Sequence, residues 1–199
     1  MRFEKLDIKR HSSQKVAELL YETDRDIFNF FYGKKANSAQ ILEKLVRLGE
    51  NNLGHEHIYV ATQDEQVIGI LLYFEGNDHH KMGEIKFLFK NLNLIDAIRF
   101  LLIDLKDKLI LSDLKKCDFY LAGLAVDEEI RGEGVGSIIL DQAIKIAQQR
   151  GCRRVVLDVA LDNPGARRLY ERTGFKVFNK KSFPWFGRRI GMFKMELDI

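Results

Sequence analysis

The stretch VDEEIRGEGVGS, residues 126–137, decides how this chain folds. Residues 119–126, which lead into it, are nearly all apolar, as is typical of a strand buried on both faces. Residues 135–150, which follow, place apolar side chains at helical spacing and stop at Gly151, which predicts a helix. A glycine-rich turn at such a junction leaves backbone N–H groups uncovered beside the positive end of the helix. We therefore expect a site for phosphate oxygens here.

Three phosphate-binding patterns can be compared with this turn. The P-loop requires a lysine directly after its last glycine, and none follows Gly136. The dinucleotide pattern Gly-x-Gly-x-x-Gly fails because Gly132, Gly134 and Gly136 are spaced one residue too closely. The pattern Arg/Gln-x-x-Gly-x-Gly/Ala fits Arg131 to Gly136 at every fixed position.

A second motif, NPGARRLYERTGF at residues 163–175, follows at a fixed distance. Asn163 and Pro164 are suited to the cap and first position of a helix. The stretch matches Asn-x-x-Ala-x-x-Leu-Tyr-x-x-x-Gly-Phe throughout. With the glycine turn, it makes the chain resemble the GNAT superfamily of N-acetyltransferases. The specific motifs lie within residues 121–175, whereas the topology that they imply extends over the whole chain.

The resemblance implies a mixed α/β fold, with a central sheet of about seven strands flanked by helices. The spacing predicts one domain over residues 1–199, with an extra helical segment at about 90–116 between the third and fourth strands. The strand–helix–strand order within 119–160 predicts a parallel neighbour pair with a right-handed crossover. The layout also resembles ribosomal-protein alanine acetyltransferases, although the extra helix departs from their compact pattern.

The resemblance implies acetyl-CoA as co-substrate, held by the strand before the glycine turn, the turn itself and the helix after Asn163. Gly123 in that strand is compatible with a bulge that exposes an N–H group, and equally with close packing by a neighbour. The expected cofactor-binding residues are Leu124, Ala125, Val126, Arg131, Gly132, Glu133, Gly134, Val135, Gly136, Ser137, Asn163 and Tyr170.

The implied reaction is direct attack of a primary amine on the thioester in a ternary complex, without an acetyl-enzyme. Tyr170 stands at the family's general-acid position, and a phenol near pKa 10 can protonate a thiolate near 8.5 with a small uphill step. Asp118, at the start of the central strand, is the expected base. Tyr120, Glu75 and Glu84 are further candidates for the base, and a solvated carboxylate is the competing interpretation of Asp118.

The sequence leaves two classes of acceptor open. Residues 27–32 and 183–187 are aromatic, and in the family the corresponding segments line the acceptor pocket. Phe28, Phe31, Tyr32 and Trp185 are therefore expected to bind an acceptor with an apolar or aromatic portion, with ordinary packing as the alternative. The acceptor itself is either a small-molecule amine or a protein N-terminal amine.

Composition narrows the remaining possibilities. The 199 residues are 46% hydrophobic and 31% charged with a net charge of +3, which suits a globular protein and is too weakly basic for a nucleic-acid binder. The sequence has no apolar stretch of 18 residues, so no membrane-spanning helix is expected. It has only two cysteines and does not start like a signal peptide, and both observations favour a cytoplasmic location. The histidine pairs lack metal-ligand spacing, so no metal is expected.

Two matters stay open from the sequence alone. The helical segment at 90–116 can extend the acceptor wall, form a homodimer face or cover the sheet. The fold also permits a non-catalytic acyl-CoA-binding sensor or interaction module, which would keep the glycine turn and need no proton donor. Nucleotide binding by an oxidoreductase is disfavoured by the glycine spacing.

Overall fold

The computed structural model describes residues 1–75, 90–110, 114–185 and 187–199; for residues 106–110, 183, 185, 188 and 190 it describes the backbone only. The strands are β1 (Arg2–Lys5), β2 (Ile58–Gln63), β3 (Gln66–Glu75), β4 (Asp118–Val126), β5 (Arg154–Ala160), β6 (Lys176–Trp185) and β7 (Arg188–Asp198). The helices are α1 (Ser13–Thr23), α2 (Arg25–Tyr32), α3 (Lys35–Leu48), α4 (Leu94–Ile110), α5 (Val135–Gln149) and α6 (Pro164–Arg172).

The seven strands form one sheet in the order β1-β2-β3-β4-β5-β7-β6. Strands β4 and β5 run parallel, whereas the other neighbouring strands are antiparallel. Helix α5 connects the parallel pair. The predicted mixed α/β architecture with about seven strands is therefore confirmed.

The parallel pairing between β4 and β5 covers only half of each strand. It runs from Asp118 opposite Arg154 to Leu121 opposite Leu157 and then stops, although β4 continues to Val126. Beyond this point the two strands present free backbone edges to each other. A wedge thus opens in the middle of the sheet, on the side where β4 leads into the glycine turn.

A bulge interrupts β4 next to the wedge. Leu121 and Gly123 oppose consecutive residues of β3, so Ala122 is the extra residue. This confirms the bulge that Gly123 indicated. A Cβ atom at Gly123 would also lie 3.0 Å from Cγ2 of Thr23 at the end of α1. The glycine therefore serves both the bulge and the close approach of α1.

Two hydrophobic clusters cover the two faces of the sheet. On one face, α1, α2 and α3 pack over Tyr120 and Val156. On the other face, α5 and α6 pack over Leu157. Since side chains alternate along a strand, successive residues of β5 point to opposite faces.

The helix predicted between the third and fourth strands is present as α4. Its Ala97 and Phe100 pack against Leu45 of α3. The helix therefore packs against α2 and α3, and its Ile103 joins the cluster that also holds Tyr120 of the sheet, whereas its other face exposes Leu94, Ile95, Ile98 and Leu105. Within the described ranges, no helix combines the length and apolar character needed to cross a membrane.

Candidate functional site

The glycine turn forms an open cradle at the start of α5. Gly132 and Gly134 have φ angles of +94° and +86°, which L side chains rarely adopt, and a Cβ atom on either would meet nothing within 4 Å. Gly134 is the N-cap of α5, and no side chain caps this helix end. The first N–H groups of α5 are therefore available to an external acceptor, as phosphate binding requires.

The backbone of β4 next to the turn faces the wedge in an alternating pattern. The N–H of Asp127 donates to Ile68 of β3 at 2.9 Å. Because antiparallel bonds alternate, the backbone of Ala125 also turns to β3, whereas Leu124 and Val126 direct theirs into the wedge. Arg131 closes the end of the wedge, since its Nε donates to the Val126 carbonyl at 3.1 Å.

Helix α6 carries Tyr170, the residue predicted to donate a proton. Asn163 caps the helix by accepting from the N–H of Ala166 at 3.0 Å, which is the capping role that its position indicated. Tyr170 is buried, with its ring 5.8 Å from that of Phe175, and burial raises its pKa to about 12. None of the described residues hydrogen-bonds its hydroxyl. The phenol is thus neutral at physiological pH and keeps its proton for donation.

A second polar group lies at the apex of the wedge on the opposite face. The hydroxyl of Tyr120 in β4 donates to Oδ2 of Asp158 in β5 at 3.0 Å. Asp158 directly follows Leu157, the last residue of β5 that pairs with β4. It shares the face of Val156 and Tyr120, which is the α1–α3 face. Tyr120 was a sequence candidate for the base, whereas Asp158 was missed, although a lone carboxylate inside an apolar strand was a usable signal.

Asp118 forms an ion pair with Arg154 at the start of β4. Its carboxylate is held by Arg154, with Nε 3.0 Å from Oδ1 and Nη2 2.6 Å from Oδ2, and it accepts the N–H of Lys115 at 2.7 Å. It lies at the closed end of the β4–β5 pair, three residues before the wedge, which is about 10 Å along a strand. This geometry favours a structural role for Asp118, and its expected role as base stays a prediction.

Two further sequence candidates for the base are Glu75 and Glu84. Glu75 forms an ion pair with Arg150. Glu84 lies outside the described residues. In the described part of the chain, no group of three or more His, Cys, Asp or Glu side chains is arranged as a metal site.

The aromatic acceptor wall is also placed differently from the expectation. Phe28, Phe31 and Tyr32 are each at most 5% exposed and pack inside the first hydrophobic cluster, so they support α2 from within. Phe30 is the member of this stretch that reaches solvent, at 42% exposed. The side chain of Trp185 lies outside the described residues. The helical periodicity explains why Phe30 is exposed while Phe28 and Phe31 are buried, because α2 buries only one of its faces.

The remaining predicted cofactor residues follow the turn. Residues 131–134 are exposed, Val135 is buried, and Gly136 and Ser137 are half-buried at the first turn of α5. A Cβ atom on Gly136 would lie 3.5 Å from Leu169 of α6, which brings the two helix starts close together. The turn and α6 thus border one side of the wedge, whereas Tyr120 and Asp158 border the other.

Comparison with known proteins places this geometry in context. Residues 95–175 match the model of the acetyltransferase (GNAT) family. An N-alpha-acetyltransferase of Arabidopsis thaliana, MAK3, is 33% identical over 78 residues, which is 39% of this chain and 40% of that protein. The chain therefore matches less than half the length of this curated relative.

Solved structures resemble the fold over its full length. The polyamine N-acetyltransferase of Drosophila melanogaster superimposes with a TM-score of 0.61 at 12% identity, covering 100% of this chain and 99% of that one. The NatC complex bound to Gag peptide and CoA contains a chain that superimposes with a TM-score of 0.57 at 18% identity, covering 100% and 98%. At these identities the likeness concerns the fold.

Proposed function

We propose that this chain, whose residues 95–175 match the model of the acetyltransferase (GNAT) family, transfers an acetyl group from acetyl-CoA to a primary amine. The observation that carries the proposal is the wedge between β4 and β5, which has a neutral phenol on one face and a carboxylate on the other. A group-transfer site requires a proton donor for the leaving group and a proton acceptor for the nucleophile, and Tyr170 and Asp158 supply the two.

The site fits acetyl-CoA in both charge and shape. The cradle of Gly132 and Gly134, with the uncapped start of α5, suits a pyrophosphate. The free edge at Leu124 and Val126 suits the amides of a pantetheine arm, which can extend the sheet at the wedge. In this arrangement acetyl-CoA supplies a thioester, and an N–H beside the bulge is placed to donate to its carbonyl oxygen as negative charge develops there.

The residues that act on acetyl-CoA and those that act on the amine lie on opposite faces of the sheet. Tyr170 belongs to the face of α5 and α6, where it donates a proton to the departing sulfur. Tyr120 and Asp158 belong to the face of α1–α3, where they receive the proton of the attacking nitrogen. We infer that acetyl-CoA enters beside α5 and that the amine arrives from the opposite face.

Burial changes the energetics of the donor. With Tyr170 near pKa 12, transfer to a thiolate that keeps an aqueous pKa of 8.5 would cost about 5 kcal/mol. The same burial raises the pKa of a thiol held beside it and narrows this gap. Tyr170 therefore acts first as a hydrogen-bond donor to the developing thiolate, and the proton moves as the sulfur leaves.

Among the candidate acceptors, we favour the α-amino group of a peptide over small-molecule amines. An α-amine with a pKa near 8 loses its extra proton at pH 7 for about 1.4 kcal/mol, whereas a lysine-like amine requires about 4–5 kcal/mol. A carboxylate reached through Tyr120 is a modest base and suits the easier case. The relative named as an N-alpha-acetyltransferase supports this order, and the polyamine enzyme that shares the fold keeps small amines in second place.

The testing experiment measures CoA release with a thiol reagent. The purified chain is incubated with acetyl-CoA and three acceptors: peptides with a free α-amine, the same peptides blocked at the α-amine but carrying lysine, and polyamines. We expect turnover that is highest with free α-amines. In a parallel melt, acetyl-CoA at about 100 times its Kd should add about 2.7 kcal/mol, or roughly 5–10 °C.

Two outcomes separate the alternatives. A melting shift without turnover on any amine would favour the acyl-CoA sensor over the enzyme. Turnover that is equal in wild type and Asp158→Asn would contradict the assigned proton acceptor while leaving the activity in place.

A further inference from the structure

Lys194 of β7 is a fully buried lysine on the acceptor side of the sheet, with 0% exposure. Met192, two residues before it, packs in the α1–α3 cluster, whereas Met195, which follows it, packs in the α5–α6 cluster. The side chain of Lys194 therefore shares the face of Tyr120. Lysines are almost never fully buried unless they are paired, so this ammonium requires a counter-charge nearby.

The sheet register supplies that counter-charge. Lys194 is directly opposite Asp158 across the antiparallel pair of β7 and β5. Directly opposite residues on one face have Cβ atoms about 4.5–5.5 Å apart, within reach of an ion pair. Asp158 in turn accepts the hydroxyl of Tyr120 at 3.0 Å. Three polar groups on neighbouring strands thus form a row that ends at the wedge.

Several other charged residues of this face pair with one another. Arg154 of β5 is within ion-pair distance of Asp118 on β4 and of Glu196 on β7. On β6, Lys176 is opposite Glu196 and exposed, whereas the uncharged Asn179 is opposite Lys194.

Above this half of the sheet, the carboxylate of Glu22 on α1 is bound by Arg25, Lys35 and Arg131. The ring of Phe178 approaches the Lys194 ammonium, with its centroid 6.0 Å from Nζ. We therefore take Asp158 as the carboxylate that pairs with the Lys194 ammonium.

We propose that Lys194 is a positioning residue for the acetyl transfer: its buried ammonium holds Asp158 as a carboxylate aimed at Tyr120. This inference rests on the proposed function. As the amine nitrogen forms its bond to the acetyl carbon, its proton passes to the oxygen of Tyr120, and the Tyr120 proton passes to Asp158. The bond from the acetyl carbon to sulfur breaks, and the sulfur takes the proton of Tyr170. Solvent then resets both groups.

The physical reason is the cost of a half-buried carboxylate. Desolvation favours the protonated form, and a protonated Asp158 has no capacity to accept the Tyr120 proton. An adjacent cation reverses this preference and also orients the carboxylate through the ion pair. Methionine at position 194 would keep the volume and remove the charge.

The experiment compares Lys194→Met and Lys194→Arg with the matched control Lys176→Met, a lysine that faces a carboxylate across β6 and β7 but is exposed. Carbon-13 NMR follows the titration of the Asp158 carboxyl, identified by its loss in Asp158→Asn. We expect Lys194→Met to raise the Asp158 titration midpoint by at least one pH unit, and Lys194→Arg and Lys176→Met to leave it in place.

The kinetic measurement is made on the same variants. The acid limb of kcat/KM should move upward in Lys194→Met by the same amount, with about a tenfold loss below the limb that recovers at higher pH. Melting temperatures are recorded throughout, and Lys194→Met/Asp158→Asn serves as a folded reference in which no buried charge is left unpaired.

The outcomes distinguish this inference from the proposed function. An unchanged Asp158 titration in Lys194→Met would overturn the inference even if the wild type acetylates amines. A raised midpoint with an unshifted rate profile would also overturn it and leave Lys194 as a structural residue. A wild type that is inactive on every amine would overturn both.

Discussion

Replacement of Tyr170 by Phe tests the core of the proposed chemistry. The ring of Tyr170 is buried against Phe175, and none of the described residues hydrogen-bonds its hydroxyl. Removal of the oxygen therefore leaves the packing intact and breaks no hydrogen bond within the described chain. We expect the free energy of unfolding to stay within about 1 kcal/mol of the wild type, because removal of this hydroxyl leaves no hydrogen-bond partner unsatisfied among the described residues.

The effect on catalysis should be large by comparison. A positioned general acid contributes about 10²–10⁴-fold to the rate, which corresponds to about 3–5 kcal/mol of transition-state stabilisation. We expect kcat to fall by this factor while the Kd for acetyl-CoA changes by less than about threefold. The pKa of about 12 also predicts that Tyr170 contributes no basic limb to the wild-type pH profile below about pH 11.

The assay is steady-state CoA release, with the Kd for acetyl-CoA measured separately by calorimetry. Tyr59→Phe is the matched control, because Tyr59 lies on β2, stacked on Phe3 and away from the wedge. A kcat for Tyr170→Phe within about threefold of the wild type, in a variant that melts normally, would refute the assignment of Tyr170 as proton donor.

Three further variants probe the scaffold of the site. Asp118→Asn should lower stability by about 3–5 kcal/mol in a urea titration, because it leaves Arg154 half-satisfied, yet keep kcat within about threefold; a kcat loss above a hundredfold would restore Asp118 as the base. Gly134→Ala should cost about 1–2 kcal/mol because of its φ of +86° and weaken acetyl-CoA binding in calorimetry; unchanged binding would dissociate the turn from the cofactor. Lys15 lowers the pKa of Asp127, so the stability lost in Asp127→Asn should be constant above about pH 5 and vanish as pH falls well below 3.8; a stability difference that persists at pH 2 would contradict this pairing.

The sequence predicted the elements whose signals are local. Asn163 and Pro164 marked the start of α6, and the helical spacing after Val135 marked α5. The run from Phe119 to Val126 indicated a central strand, and Gly123 within it indicated a bulge. Each of these depends on backbone preferences or on burial that is repeated at short range, and such preferences are legible in a few consecutive residues.

Other assignments depended on which residues meet across the sheet. Asp118 stood at a strand start, as a solvent-facing carboxylate would, but Arg154 lies 36 positions away in sequence and binds it in the fold. Phe28 and Phe31 looked available to an acceptor, yet helix α2 turns them inward, and the exposed position passes to Phe30.

What the sequence by itself determined is the presence and order of the strands and helices and the glycine turn, and it predicts a proton donor on α6. What only the tertiary structure decided is the wedge and the groups around it. The parallel pairing of β4 and β5 ends after Leu121 and Leu157, and the register of β5 with its neighbours brings Asp158 between Tyr120 and Lys194. No local pattern encodes this meeting, because even an unusual residue such as Asp158 in its apolar strand does not indicate which residues lie opposite it. Their chemistry arises from hydrogen bonding and charge across strands that the chain connects only over long distances.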